Sequence, residues 1–537
     1  MKKQTGGKRK MNKNKSVKRI GLKQFENQNE KGITLIALVI TVVILIILAT
    51  VSINVVLGEG GLIQRAQQAK DLTEQAALEE QQGLNSLMDQ MANIMSEDQT
   101  PPPEPDVPYV DESIAVAPQV SEGMTPVKWN GSNWIKTEAT DSEWYNYGEK
   151  KWANVVLGGA TFNEGVLDES KTYSMLVWIP RYAYKITSQY HQSGSSAGGI
   201  DIVFIDTANK GKDGSKTYST TYPSATTGGA MSDYVVHPAF DYGGTALPGF
   251  WVGKFETSHT GCTTDKSTGE TDTNNSTLIP QIKAGITSWR NITVDNIFKV
   301  CTEMNKTGNP YGLNSNDNVV DPHMMKNSEW GAVVYLSQNT TYGKGDEVWI
   351  NNNRGYITGN AGESASAAEE EITNDYKSIQ GQEASTTGNV TGVYDMSGGT
   401  WEYVAAYVNN SYAEDYAKSL IDSVDKGNTK YADVYSTGSR DAFDENYAVS
   451  IPENGYNGDA VWETSSSSSS PYMNSWYSDY SYFPNTNSQF FVRGGPYSNA
   501  TAAGAFSFGS YYGYNDSFYS FRVVVPVLRC RGKLKYD

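Results

Sequence analysis

The sequence predicts an α+β chain in three parts: an amino-terminal membrane-spanning helix, a small β-module, and a large carboxy-terminal domain of strands, loops and helices. Three observations carry this expectation. From Gly32 to Gly58 no residue is charged. A block of aromatic residues at strand-like spacing follows a proline-rich stretch. Glycine (51 residues) and tyrosine (35) are abundant while charged residues are only 19%, the composition of a loop-rich, strand-rich body. At 537 residues, two or three domains are expected.

The net charge of −17 conceals an asymmetry. Residues 1–31 hold eleven Lys and Arg against Glu26 and Glu30, so they carry +9 and the remainder −26. A body that acidic repels phosphates, which excludes nucleic acid as a partner. Cys262, Cys301 and Cys530 are too few for a disulfide scaffold, and the odd count leaves a thiol without an internal partner.

In the apolar run ITLIALVITVVILIILATVSINVVL, about 25 residues at about 1.5 Å each reach some 37 Å, enough to span a hydrocarbon core of about 30 Å. The basic block ahead of it stays cytoplasmic and places the carboxy-terminal bulk outside the cell, in a single-pass arrangement. A cleaved signal peptide would have a shorter run of about 7–15 residues ending in small residues. Lys31-Gly32-Ile33-Thr34-Leu35-Ile36 at the edge of the run resembles the prepilin-type cleavage motif of type IV pilins and pseudopilins. The resemblance implies processing between Gly32 and Ile33 by a prepilin peptidase, pilin-like subunits as partners, and incorporation in a pilus. Two residues depart from the family: Ile33 stands where Phe is usual, and Ala37 where the assembly glutamate is usual. A plain membrane anchor is the alternative.

Leu62, Ala66, Ala69, Leu72 and Ala76 fall at helical spacing, and Leu84, Leu87, Met91 and Ile94 resume it. A basic leader (1–32) and a transmembrane and extended amphipathic helix (33–98) are therefore expected. A stiff linker (99–122) built on Thr100-Pro101-Pro102-Pro103-Glu104-Pro105 follows. Residues 123–229 read as the β-module, with Trp129, Trp134, Trp144, Tyr145, Tyr147 and Trp152 as its core, a turn at Asn130-Gly131, and strand-like runs at 173–187 and 200–206. The same tryptophans could instead form a carbohydrate platform.

Four motifs mark residues 230–537. Pro248-Gly249-Phe250-Trp251-Val252-Gly253-Lys254-Phe255-Glu256 comes first, then Met325-Lys326-Asn327-Ser328-Glu329-Trp330-Gly331-Ala332. Thr391 to Tyr403 (TGVYDMSGGTWEY) and Arg493-Gly494-Gly495 with Phe521-Arg522 complete the set. In this order they resemble the formylglycine-generating-enzyme-like family, which implies a C-type-lectin-like fold. Read physically, Gly398-Gly399 and Gly494-Gly495 permit positive φ. Arg493, Arg522 and Glu402 read as buried groups bracing carbonyls, with a catalytic role as the alternative.

The family's chemistry needs a reactive cysteine pair after the RGG motif, and Gly494 to Phe521 contains no cysteine. Cys301, with Val294, Ile297 and Met304 on one helical face, reads as a buried thiol. His191, His237, His259 and His323 show no metal-ligand spacing. No catalytic residue, metal or cofactor is therefore expected. A structural calcium, which relatives of the family hold near the TGVYDMSGGTWEY stretch, is not supported: Gly399 replaces an asparagine, and Asp395 with Glu402 falls short of about six oxygen ligands.

Residues 494–521 use the palette of binding loops: Tyr, Ser, Asn, Gly, Ala and Phe, with Asp516 the one charge. Tyr497, Asn499, Thr501, Ser507, Tyr511, Tyr512, Tyr514, Asn515, Ser517, Phe518 and Tyr519 are the candidate ligand-binding residues, expected on one exposed face. The stretch has no Lys, Glu, Gln, Met or Trp, which together make up about one residue in five of the chain. Codons ending in a pyrimidine cannot encode those five. The pattern resembles the variable region of diversity-generating retroelement target proteins. It implies an adhesin-like protein with a diversified loop that binds an extracellular protein or glycan. A structural pilin-like subunit without a specific ligand is the runner-up, and a formylglycine-generating enzyme the third reading.

Overall fold

The computed structural model describes residues 109–528 except 212–213, 215, 266–272, 314–318, 410–413, 437–456, 468–470 and 485–487, and before them only Val43, Ile44 and Lys70. The chain divides into two units, Met1–Glu104 and Pro105–Asp537.

The α+β expectation is corrected. Among the described residues strands, in six sheets, outweigh helices, and the α-helices beyond Tyr109 are Val294–Thr302, Asn327–Gln338 and Glu414–Asp425, of 9, 12 and 12 residues. The physical reason is compositional: Val, Ile, Tyr, Trp and Thr favour the pleated, half-buried surface of a sheet. No helix among the described residues is long and apolar enough to cross a membrane, which overturns the single-pass anchor and the membrane localisation drawn from hydropathy. The Gly32–Ile33 junction and the helical pattern of 33–98 lie outside the described residues, apart from the three named above.

The largest sheet has nine strands in the order His323–Met324, Val523–Val525, Gly249–Gly253, Met175–Pro180, Asn154–Leu157, Met124–Trp129, Trp134–Lys136, Val166–Leu167, Phe162–Asn163. Strands from 123–229 and from 230–537 thus share one sheet, so the expected boundary at 229/230 divides nothing in it. Met175–Pro180 explains why. All six of its residues (MLVWIP) are buried, and such a strand needs cover on both edges and both faces. It pairs antiparallel with Gly249–Gly253 on one side and Asn154–Leu157 on the other. Trp178 and Trp251 are register partners with ring centroids 5.2 Å apart, and Trp144 packs 6.4 Å from Trp251. The tryptophans of the aromatic block are therefore core, with Trp129 alone half-buried at the rim. The Asn130-Gly131 turn forms as expected: the Asn130 side chain accepts from the Ser132 and Asn133 amides, and Trp129 pairs with Trp134.

After Pro180 the chain leaves this sheet and enters a three-stranded one through Tyr182–Ile186, flanked by Ile200–Phe204 and Val235–Val236. A five-stranded sheet carries the carboxy-terminal loop. Its order is Asp433–Ser436, Trp401–Asn409, Phe490–Gly494, Gly504–Tyr511, and Tyr519–Phe521 runs parallel beside Trp401–Tyr403.

Candidate functional site

The strand Gly504–Tyr511 sets the candidate surface. Its pleat turns Phe506 against Trp476 (5.1 Å) and Phe508 against Phe483 (5.2 Å), so both rings are core. The chain then turns at Gly513, whose φ is +87°, and a Cβ there would lie 2.8 Å from the Phe490 ring, so glycine is required on both counts. The turn backbone is pinned from three elements. Val294 N–H donates to Gly513 O (3.0 Å), Asn291 N–H to Asp516 O (2.9 Å), and Tyr403 Oη to Tyr514 O (3.0 Å).

On this fixed backbone the tyrosines gather. Tyr511 stacks on Tyr519 and packs against Tyr512 (5.4 Å) and Tyr514 (5.0 Å). Tyr519 stacks on Tyr403 at 5.1 Å, and Tyr416 approaches Tyr514 at 5.7 Å. The hydroxyls of Tyr511 and Tyr514 are 2.7 Å apart, and Tyr511 Oη donates to Asp516 Oδ2 at 3.1 Å. Burial first, then the hydrogen bond with Tyr514, pushes the Tyr511 phenol up from its ordinary range. Burial, with Asp516 next, does the same to Tyr519. Tyr512 and Phe518 are 42% and 43% exposed, enough for each ring to meet a ligand.

A second group adjoins through Tyr356. Tyr497 packs edge-on to Tyr356 at 4.9 Å and Phe518 lies 6.4 Å from it. Beneath, the buried Arg290 guanidinium lies 3.7 Å over the Tyr356 ring and donates to Ser517 O at 3.0 Å. Asn499 and Thr501 sit on the short turn that follows Tyr497, Asn499 half-buried and Thr501 exposed, and Asn515 is exposed. Ten of the eleven candidate residues thus reach the surface at least in part. Ser507 does not, and its assignment to the face is corrected: it is fully buried in the strand, and its Oγ has no hydrogen-bond partner.

Sequence reasoning missed Tyr356, Arg290, Trp401, Tyr403 and Tyr416, as well as the neighbouring cluster of Tyr472, Tyr480 and Tyr482. In that cluster Tyr480 packs 5.8 Å from Trp401. The run Tyr477-Ser478-Asp479-Tyr480-Ser481-Tyr482 carries the same Tyr/Ser palette and was the available signal. Arg290 gave none.

The groups weighed as catalytic are fully buried. Arg522 donates through Nε to Glu402 Oε2 (3.1 Å) and through Nη1 to Gly253 O (2.8 Å), and its Nη2 pairs with Glu402 Oε1. Arg493 donates to Asn327 Oδ1 (2.9 Å) and to the carbonyls of Asp459 and Ala460. Burial pushes the Glu402 carboxyl up to about 7 against the pull of Arg522. Beside it, Asp395 accepts from Asn351 Nδ2 (2.8 Å), Gly359 N–H (2.9 Å) and Glu256 N–H (3.2 Å). Glu256 accepts from Thr400 N–H (2.7 Å) and from the Ser288 hydroxyl. Gly399, at φ +68°, explains the residue found in place of asparagine, since a Cβ there would lie 2.4 Å from Glu256 Oε1. Among the described residues no group of three or more His, Cys, Asp or Glu side chains could hold a metal ion. Cys262 and Cys301 are both buried free thiols, and Cys530 lies outside the described residues.

No protein-family model matches the chain, and no curated protein matches it.

Proposed function

We propose that this protein is a recognition protein whose contact surface is the tyrosine-rich loop between Gly495 and Phe521. In this reading the loop is a variable platform of the kind found in diversity-generating retroelement targets. The observation that carries the reading is the division of labour within one short segment. Phe506, Phe508 and Gly513 fix the backbone from below, while Tyr512, Asn515 and Phe518 project from it, exposed. Large aromatic rings on a rigid backbone supply contact area at low entropic cost, and a contiguous group of partly exposed rings marks an interaction surface. The absence of every residue that a pyrimidine-ending codon cannot encode supports the same reading from the gene side.

The test is simultaneous exchange of Ser498, Asn499, Thr501, Tyr512, Asn515 and Phe518 for other residues encoded by pyrimidine-ending codons. A variable platform keeps its melting temperature within a few degrees, because surface substitutions away from caps and buried networks change stability by about 0.5 kcal/mol or less each. Collective unfolding would show that these side chains serve the fold and would end the reading.

A further inference from the structure

Resting on that reading and deepening it, we propose that the face takes a cationic side chain of a partner polypeptide, arginine above all, against Asp516 and the rings of Tyr512 and Tyr514. Asp516 is the one charged residue between Gly494 and Phe521. Its carboxylate is aimed rather than free: Oδ1 accepts the Phe518 N–H at 3.0 Å and Oδ2 accepts the Tyr511 hydroxyl at 3.1 Å. Neither bond supplies positive charge. Among the described residues no Lys, Arg or His pairs with it.

The nearby cations are committed elsewhere. Arg290 is buried beneath Tyr356 and donates to Ser517 O, Lys299 pairs with Asp295 at 2.6 Å, and Lys418 pairs with Asp422 at 2.8 Å. Among the described residues, a carboxylate fixed beside the paired Tyr511 and Tyr514 hydroxyls is therefore presented without its counter-charge. Tyrosine faces carry negative quadrupole potential, so they attract a cation from the side while the carboxylate attracts it end-on. Guanidinium suits this pair better than ammonium, because it stacks on rings and offers a fork of donors to a carboxylate. The chain's net charge of −17 adds long-range attraction for a basic partner. Among the described residues, no exposed Lys or Arg of this face is left to meet an acidic or phosphate-bearing partner.

The experiment titrates the full chain into three labelled peptides of equal length by fluorescence anisotropy. One is a glycine–arginine repeat, one has citrulline in place of arginine, and one has glutamate. Citrulline keeps the shape of arginine and removes its charge. We expect the arginine peptide to bind, and the other two to bind at least tenfold more weakly. Asp516→Asn should lose tenfold or more, Asp516→Glu should retain most of the affinity, and the remote neutralisation Glu138→Gln/Glu164→Gln, at exposed positions toward the far edge of the nine-stranded sheet, should change little.

Equal binding by the citrulline peptide overturns the proposal, and so does a loss in the remote variant as large as in Asp516→Asn. No arginine-peptide binding up to about 1 mM overturns it as well. Such a failure leaves the recognition reading standing as long as the exchange of exposed loop residues keeps the fold intact, so the two ideas fail separately.

Discussion

Tyr511 lies face to face with Tyr519, ring centroids 4.0 Å apart and planes 21° apart, which makes it the hinge between the buried sheet and the exposed loop. Tyr511 is thus a supporting ring and Tyr512, beside it, a presenting one. Truncating Tyr511 to Ala should cost about 2–3 kcal/mol, combining lost ring packing with the loss of its hydroxyl bonds to Tyr514 and Asp516. Tyr512→Ala and Phe518→Ala should each cost about 0.5 kcal/mol or less. Urea denaturation checks this ordering. Equal costs at 511 and 512 would mean that the loop has no such division.

Ser507 supplies a prediction of opposite sign. Its buried hydroxyl has no partner, so it carries a desolvation penalty without a compensating bond. Ser507→Ala should leave stability unchanged or raise it by about 1 kcal/mol, with ligand binding unaltered. A clear destabilisation would point to an ordered partner for the hydroxyl.

The Arg522–Glu402 pair joins the strand at Trp401 to the start of the strand at Val523, with both side chains essentially unexposed. Removing one partner of such a pair leaves a buried charge, so Arg522→Met should cost about 3–5 kcal/mol. Replacing both, Arg522→Met with Glu402→Leu, should recover much of that loss. Double-mutant analysis by chemical denaturation reads the difference. A catalytic arginine without structural weight would show little change in stability.

Stability should fall as pH rises through neutrality. Burial pushes the Asp459 carboxyl up to about 7, and burial likewise lifts Glu402 to about 7, from ordinary values of 3.8 and 4.5. The folded state therefore holds these protons longer than the unfolded chain does. Their stabilising share is full below the unfolded values and is lost as pH rises through about 7. Glu329, held below the carboxylate range by His323 and Lys326 against its burial, acts in the opposite direction at lower pH. The melting temperature should drop between pH 5.5 and pH 8, and Asp459→Asn should flatten that drop. A rise over this range, or an unchanged slope in Asp459→Asn, contradicts the account.

Local features of the fold were legible where one segment determined its own outcome. The runs at 173–187 and 200–206 form strands, Asn130-Gly131 turns the first hairpin, and Cys301 sits buried on the helix Val294–Thr302. What escaped was pairing at a distance. Nothing in the aromatic block announces that Met175–Pro180 pairs with Gly249–Gly253, some seventy residues on, because partner choice in a sheet depends on the burial of both faces. Ser507 misled for a related reason. Between Phe506 and Phe508 it has the parity of an outward residue, yet Gly509, of the same parity, lies against Trp401 and Tyr480, so that side is covered as well. The loop's palette could be read in the sequence, but the supports under it, Arg290 and Tyr356, come from elements that no local pattern connects.

Sequencing this gene across a natural population distinguishes a diversified recognition surface at residues 496–520 from an ordinary loop. On a diversified surface the differences are concentrated at exposed positions such as Ser498, Thr501, Tyr512, Asn515 and Phe518, all within pyrimidine-ending codons. Phe506, Phe508 and Gly513 should stay fixed as the backbone's supports. Substitutions spread evenly along the chain, or falling as often on the buried supports as on the exposed rings, would contradict it.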